Sequence, residues 1–189
     1  MATRVERYLA QLDRLSGGVE PEFFPIGQPH HSPRVSSIVY RDLPETGLLT
    51  ALTYGLSLAD HDEWKLGRPE LSISIKSNDV TWGLAIGHLA STLAGDCPFR
   101  YGDTINVGEP ITDETRLSAF VVFAPLALDR DDFLNVLGEP EGAPTDDVIN
   151  IAGLYPIHHS ERDFIHAHGL EAFWKLDWDP YDPLRDPVA

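Results

Sequence analysis

The chain is poor in several things on which common functions depend. A single cysteine, Cys97, stands in 189 residues, which excludes an internal disulfide framework and any zinc site built on several cysteines. Lysine and arginine together number 14 against 30 aspartates and glutamates, a formal charge of −16. That balance argues against a nucleic-acid binder, because phosphate contacts need a basic surface. It disfavours docking on anionic lipid for the same reason. The longest apolar run, Ala119 to Leu128, is ten residues long with Pro125 inside it; a membrane-spanning helix needs roughly 20. Residues 1–7 mix charges of both signs and lack the apolar core of a secretory signal. Glycine-rich phosphate loops, a His-Glu-x-x-His order and internal repeats are all missing. A soluble cytoplasmic domain with no cofactor is the expectation.

What is present is a core and an uneven charge. Hydrophobic residues make up 42% of the chain, and a chain of this size hides roughly 70% of its unfolded surface. Residues 1–100 hold 12 acids and 9 bases, whereas residues 101–189 hold 18 acids and 5 bases. Within 129–147, seven acids face one base, Arg130. Runs of this kind are ordinarily solvated faces. The sharper reading is a docking patch for a basic partner, carried by Asp129, Asp131, Asp132, Asp146 and Asp147. A concentrated field of that sign raises the rate of encounter and selects partners by charge.

Periodicity divides the chain into short elements. Val5, Tyr8, Leu9, Leu12 and Leu15 recur at helical spacing, and Gly17-Gly18 stop the helix. Residues 19–34 contain Pro21, Pro25, Pro29 and Pro33 and read as a wrapped or flexible loop. β-rich segments at 35–41 and 48–57, joined through Pro44 to Gly47, read as a hairpin. Leu71, Ile73 and Ile75 alternate with small or polar residues, as a half-buried strand does. Asn78 or Asp79 then caps a helix whose stripe is Trp82, Ile86, Leu89 and Leu93, with Gly95 ending it. Further strands are expected near 103–107, at 118–124 (apolar on both faces, hence central) and from Val148, ending before Pro156. The acidic stretch 137–145 reads as a loop, and a helix from about Ser160 to His168 is closed by Gly169. This order, with hairpin-length links, predicts an α+β fold with a mostly antiparallel sheet.

Few residues carry obvious chemistry. In the histidine-rich stretch 158–168, His159, Asp163 and His166 share a helical face and form the best metal candidate. A metal-dependent hydrolase built there is one alternative function, although unpatterned histidines are more often polar helix positions. Ser57, in Gly55-Leu56-Ser57-Leu58-Ala59 with Asp60 and His61 beyond, superficially resembles a nucleophile elbow, but the polar stretch that follows does not read as the sharp strand-to-helix turn an elbow needs. Cys97 follows a helix, where no amide dipole lowers a thiol pKa. Asp146-Asp147 point to opposite sides of an extended chain and make no acid–base pair. The chain is expected not to be an enzyme.

Several segments, taken in order, resemble the Suppressor of fused family. Val39-Tyr40-Arg41 to Leu52-Thr53-Tyr54-Gly55-Leu56-Ser57 is similar to its paired strands and their aromatic-Gly-Leu-Ser ending. Glu70 to Ile75 resembles its Glu-Leu-Thr-type strand, and Trp82 to Leu93 the helix that follows. Tyr101-Gly102-Asp103-Thr104-Ile105 is similar to its Gly-Asp element; Val148 to Tyr155-Pro156-Ile157, Ser160-Glu161 and Gly169 resemble its closing strand and helix. The likeness spans residues 35–170, leaving 1–34 as an N-terminal helix and proline-rich segment and 171–189 as an extension. It implies a protein-binding module. Eukaryotic members sequester Gli-type transcription factors through a longer chain, whereas short bacterial members resemble immunity proteins of polymorphic toxin systems. The resemblance therefore implies neutralisation of a cognate toxin by direct binding, and the acidic charge of the chain suits a basic one. A regulator that binds a transcription-factor peptide by strand addition is the other alternative. The signature residues Tyr54, Gly55, Leu56, Ser57, Glu70, Trp82, Gly102, Asp103, Pro156 and Glu161 read as fold-maintaining.

Overall fold

Alternation along the strands decides which side of the sheet each helix covers. The computed structural model describes residues 2–27 and 33–189. In chain order its elements are α1 (Arg4–Ser16), β1 (Glu22–Ile26), β2 (Val35–Arg41), β3 (Leu49–Tyr54), β4 (Arg68–Ile75), α2 (Thr81–Thr92) and β5 (Thr104–Asn106). They continue as β6 (Ala119–Phe123), α3 (Arg130–Phe133), β7 (Ile149–Ile157), α4 (His159–His168) and α5 (Leu170–Trp174). The strands form one sheet in the order β1-β2-β3-β4-β7-β6-β5. Each neighbouring pair is antiparallel except β4 and β7, which run parallel at the centre. The fold is α+β with a mostly antiparallel sheet.

β2 sends Val35 and Val39 to one face and Ile38 and Tyr40 to the other. β7 does likewise, with Ala152 and Leu154 on the first face and Ile149, Ile151, Tyr155 and Ile157 on the second. The first face is covered by α2, whose Trp82, Ile86 and Ala90 are fully buried. Burial on that scale stabilises by roughly 1.5–3 kcal/mol per large side chain. Gly83 lets α2 lie close to the sheet, since a Cβ there would stand 2.7 Å from Val39 Cγ2. The second face is covered in two parts. Tyr8 and Leu12 of α1 cover β2, β3 and the start of β7; Ile165 and Phe173 of α4 and α5 cover β6 and the end of β7. Among the described residues no helix is long and apolar enough to cross a membrane.

Local signals account for the helix ends. Thr3 and Glu6 form a reciprocal capping box on α1, and Gly17 closes it at φ 68°. Of the two capping candidates ahead of α2, Asp79 serves: its Oδ1 accepts from the Thr81 amide at 2.9 Å. Two expectations are corrected. The proline-rich stretch 19–34 is not all loop, because Glu22–Ile26 pairs with β2; Pro25 is tolerated there since β1 is an edge strand of the sheet among the described residues. Residues 28–32 of that stretch lie outside the described residues. The closing strand does not stop before Pro156 but runs to Ile157. Ser118 N donates to Ile157 O, while Pro156 O accepts from Arg185, so Pro156 faces away from β6 and no ladder bond needs its missing amide. Gly169 closes α4 as expected, its amide donating to Ile165 O, and a further short helix, α5, follows it directly.

Candidate partner-binding surface

Two buried carboxylates hold the signature residues together. Glu70 on β4 is fully buried. Its Oε1 accepts from the amides of Gly55 (2.8 Å) and Ser57 (3.0 Å), and its Oε2 from the Thr53 hydroxyl (2.7 Å). Burial raises its pKa above the ordinary carboxylate value, and these hydrogen bonds only partly oppose that. Tyr54 packs against the Tyr8 ring at 5.3 Å between centroids, and Leu56 and Ser57 are buried. Gly55 is required: at φ 126° its missing Cβ would stand 2.2 Å from Arg34 O. Gly55→Ala is therefore expected to lower the melting temperature clearly more than Gly47→Ala. Gly47 has a comparable φ of 88° but open space around it, so only the φ strain, of order 1–3 kcal/mol, applies there. Equal losses in thermal denaturation would show that the close approach is unimportant.

The second carboxylate, Glu161 in the first turn of α4, is also fully buried. It accepts from the amides of His158 (2.8 Å) and Val188 (3.0 Å) and pairs in bidentate fashion with Arg185 at 2.5 and 2.7 Å. Burial alone would raise its pKa, but the Arg185 guanidinium and the two amides outweigh burial and bring it below the ordinary value. Arg185 in turn donates to Pro156 O and lies 4.7 Å from the Trp178 ring centroid. The last residues of the chain are thereby fastened to the closing strand and helix. Elsewhere, Trp82 Nε1 donates to Glu114 at 2.7 Å, Gly102 N donates to Val122 O, and Asp103 accepts from Arg100 N.

The remaining chemical candidates are dispersed. His159 and Asp163 approach to 3.6 Å, but His166 Nε2 is hydrogen-bonded to Thr104 at 2.7 Å, so the three do not converge. No group of three His, Cys, Asp or Glu suited to a metal occurs among the described residues. Ser57 is held by Glu70, whereas Asp60 pairs with Arg68 and His61 accepts from Glu63 N. Burial pushes the Cys97 thiol up, disfavouring the reactive thiolate.

The acidic stretch is partly neutralised by the protein itself. α1 presents Arg4, Arg7 and Arg14 toward it: Arg7 pairs with Glu139 at 2.7 Å, Arg14 with Asp132 at 2.6 Å, and Arg4 bonds Asp146 O. Arg68 pairs with Asp146 at 2.7 Å. Underneath, Leu128, Phe133, Val136 and Leu137 pack on the α1 cluster. Of the five patch residues, Asp132 and Asp146 are engaged, while Asp129, Asp131 and Asp147 remain exposed, joined by Glu141. Sequence reading missed the arginines. Their signal was available, because positions 4, 7 and 14 fall on one helical face. Arg185, in a tail without periodicity, gave none.

Comparison with known proteins follows the same lines. The family model for Suppressor of fused protein (SUFU) matches residues 31–186. A protein described as a SUFU homolog from Neisseria gonorrhoeae FA 1090 has a similar crystal structure, with TM-score 0.70 and 20% identity over 97% of this chain and 95% of that one. Drosophila Suppressor of Fused aligns with TM-score 0.67 and 11% identity, over 95% of this chain and 50% of that one. A chain of the Sufu-Fu complex aligns with TM-score 0.65 and 11% identity, over 95% and 90%. No curated protein matches in sequence.

Proposed function

The chain belongs to the Suppressor of fused family, and from that premise we propose that it is a non-enzymatic module that binds another protein. A structure of similar fold was determined in a Sufu-Fu complex, which supports binding as the use of this fold. The finer reading is an immunity protein that neutralises a basic toxin domain by covering it. The observation that carries it is the acidic face left over after internal pairing: Asp129, Asp131, Glu141 and Asp147 point to solvent although Arg7, Arg14 and Arg68 stand nearby, already paired. A basic partner meets there an attractive field, worth more in association rate and selectivity than in affinity.

The test starts from a tagged capture in the native host at low salt, with mass spectrometry of what is retained. Recovery of one stoichiometric basic protein is the expected result. Replacing Asp129 and Asp131 with lysine should then slow association about tenfold and flatten its salt dependence. Asp132→Lys is expected to act differently, loosening α3 from Arg14 with a smaller effect on association. A partner bound with unchanged rate and salt slope by the Asp129/Asp131 variant would remove this face from the account.

A further inference from the structure

We infer that the open groove between α1 and the segment 125–128 receives an apolar side chain carried on a basic segment of the partner protein; this rests on the protein-binding reading above. The groove lies on the second face of the sheet, with α1 on one side and residues 125–128 on the other, and is partly open to solvent. Its floor includes Thr50, Ser72 and Ser74, and its walls include Leu12, Leu15 and Leu126.

The hydroxyls on the floor of this groove, and that of Tyr155, are already spent. Thr50 Oγ1 donates to Leu43 O at 2.6 Å and shares a hydrogen bond with Ser74 Oγ at 2.7 Å, and Ser72 Oγ donates to Ala152 O. Tyr155 Oη donates to Ala124 O and accepts from Leu126 N. An inserted group finds satisfied hydroxyls on the floor and mainly apolar walls of leucine side chains and tyrosine rings, so burial of apolar surface is what the groove rewards. Leu126, at the lip, is 47% exposed.

The rim sets the charge of what surrounds that side chain. At one end Lys76 pairs with Asp179, whose hydrogen bond holds the ammonium above its ordinary pKa, and the charges of Asp182 and Glu45 add to the effect. Three carboxylates act on one ammonium there; Arg185, whose charge also reaches Asp179, is already paired with Glu161. On the α1 side Asp13 is exposed and close enough to act on Tyr40, whose phenol is pushed up by burial first and by the Asp13 charge second. Arg14, its neighbour, is already paired with Asp132. A second copy of this chain would bring its own −16 to an acidic rim; a basic segment is the complementary occupant.

The probe is a random-peptide phage library panned on the intact protein. Enriched peptides should carry one Leu, Ile, Met or Phe flanked by Lys or Arg. A synthetic peptide of that class, measured by fluorescence anisotropy, should lose about tenfold in affinity on Ser74→Trp, which fills the floor, and on Leu126→Lys at the lip. The Asp13→Lys/Glu45→Lys variant should weaken binding and flatten its salt dependence. If Ser74→Trp fails to fold, Leu126→Lys, at an exposed position, decides. No enrichment, enrichment without an apolar residue or with acidic flanks, or binding indifferent to these variants overturns the groove. A protein partner whose binding these variants leave unchanged also overturns it while the binding reading stands. Peptide selection with no captured partner leaves the groove standing and counts against that reading.

Discussion

Arg185→Ala is expected to destabilise the protein by about 3–5 kcal/mol, because it strands a buried glutamate without its counter-charge. Glu161 is fully buried and the Arg185 side chain is 7% exposed, so solvent screens the pair little. For a chain of this size each kcal/mol moves the melting temperature by roughly 2–4 °C, giving a loss of roughly 6–20 °C. The pH dependence identifies the cause. In the wild type Glu161 has a lowered pKa, so its contribution is present above the ordinary carboxylate value and is lost as pH falls through the folded one. Without Arg185 the same carboxylate is buried and unpaired, and protonation relieves it. The difference between variant and wild type should therefore be large at neutral pH and shrink in acid. Replacing both partners, Glu161→Leu with Arg185→Met, should cost less than Arg185→Ala alone, since no unpaired charge then remains. A loss independent of pH, or a double variant worse than the single, would show that the tail is held by its packing on Trp178 rather than by charge.

How far the fold could be read from the chain follows from the range of the interactions involved. The alternation of Leu71, Ile73 and Ile75 and the stripe of Trp82 and Ile86 were legible because a strand or a helix face repeats within a few residues. Capping by Thr3 and Asp79 is equally local. β1 was not legible: Glu22–Ile26 becomes a strand because the β2 edge is available to pair with it, and its proline argued the other way. The parallel contact of β4 with β7 likewise joins segments roughly 80 residues apart, as Ser72 bonded to Ala152 shows.

The candidate site divides in the same manner. The signature residues were legible as a set, but their reason for occurring together was not. Tyr54 to Ser57 and Glu70 meet only once β3 and β4 pair and bring a carboxylate to the turn amides. The acidic stretch was visible as a count of charges. Its division into engaged and free residues depends on arginines far along the chain: Arg14 lies 118 residues from Asp132, and Arg68 lies 78 from Asp146. The groove could not be read at all, since its walls come from α1, the loop at Leu43 and the segment after β6.

Glu70 offers the complementary experiment, because its pKa moves in the opposite sense from that of Glu161. Glu70→Ala is expected to cost about 4 kcal/mol or more, since it leaves the Gly55 and Ser57 amides and the Thr53 hydroxyl without an acceptor in a closed space. Glu70→Gln should cost much less: one amide oxygen can serve both backbone donors, while its NH₂ faces Thr53. For the wild type, a folded pKa raised by burial means that the folded chain holds the Glu70 proton more tightly than the unfolded chain. Stability then falls as pH rises from about 4.3, the ordinary glutamate value, through the raised folded value, and the penalty is constant above it. The glutamine variant loses this falling contribution. Its stability relative to wild type should rise across that window and level off beyond it. Denaturant titrations at a series of pH values measure the difference directly. A Gln variant whose curve stays parallel to wild type throughout would mean that Glu70 titrates normally, and that the amides of the Gly55 turn suffice to hold it ionised.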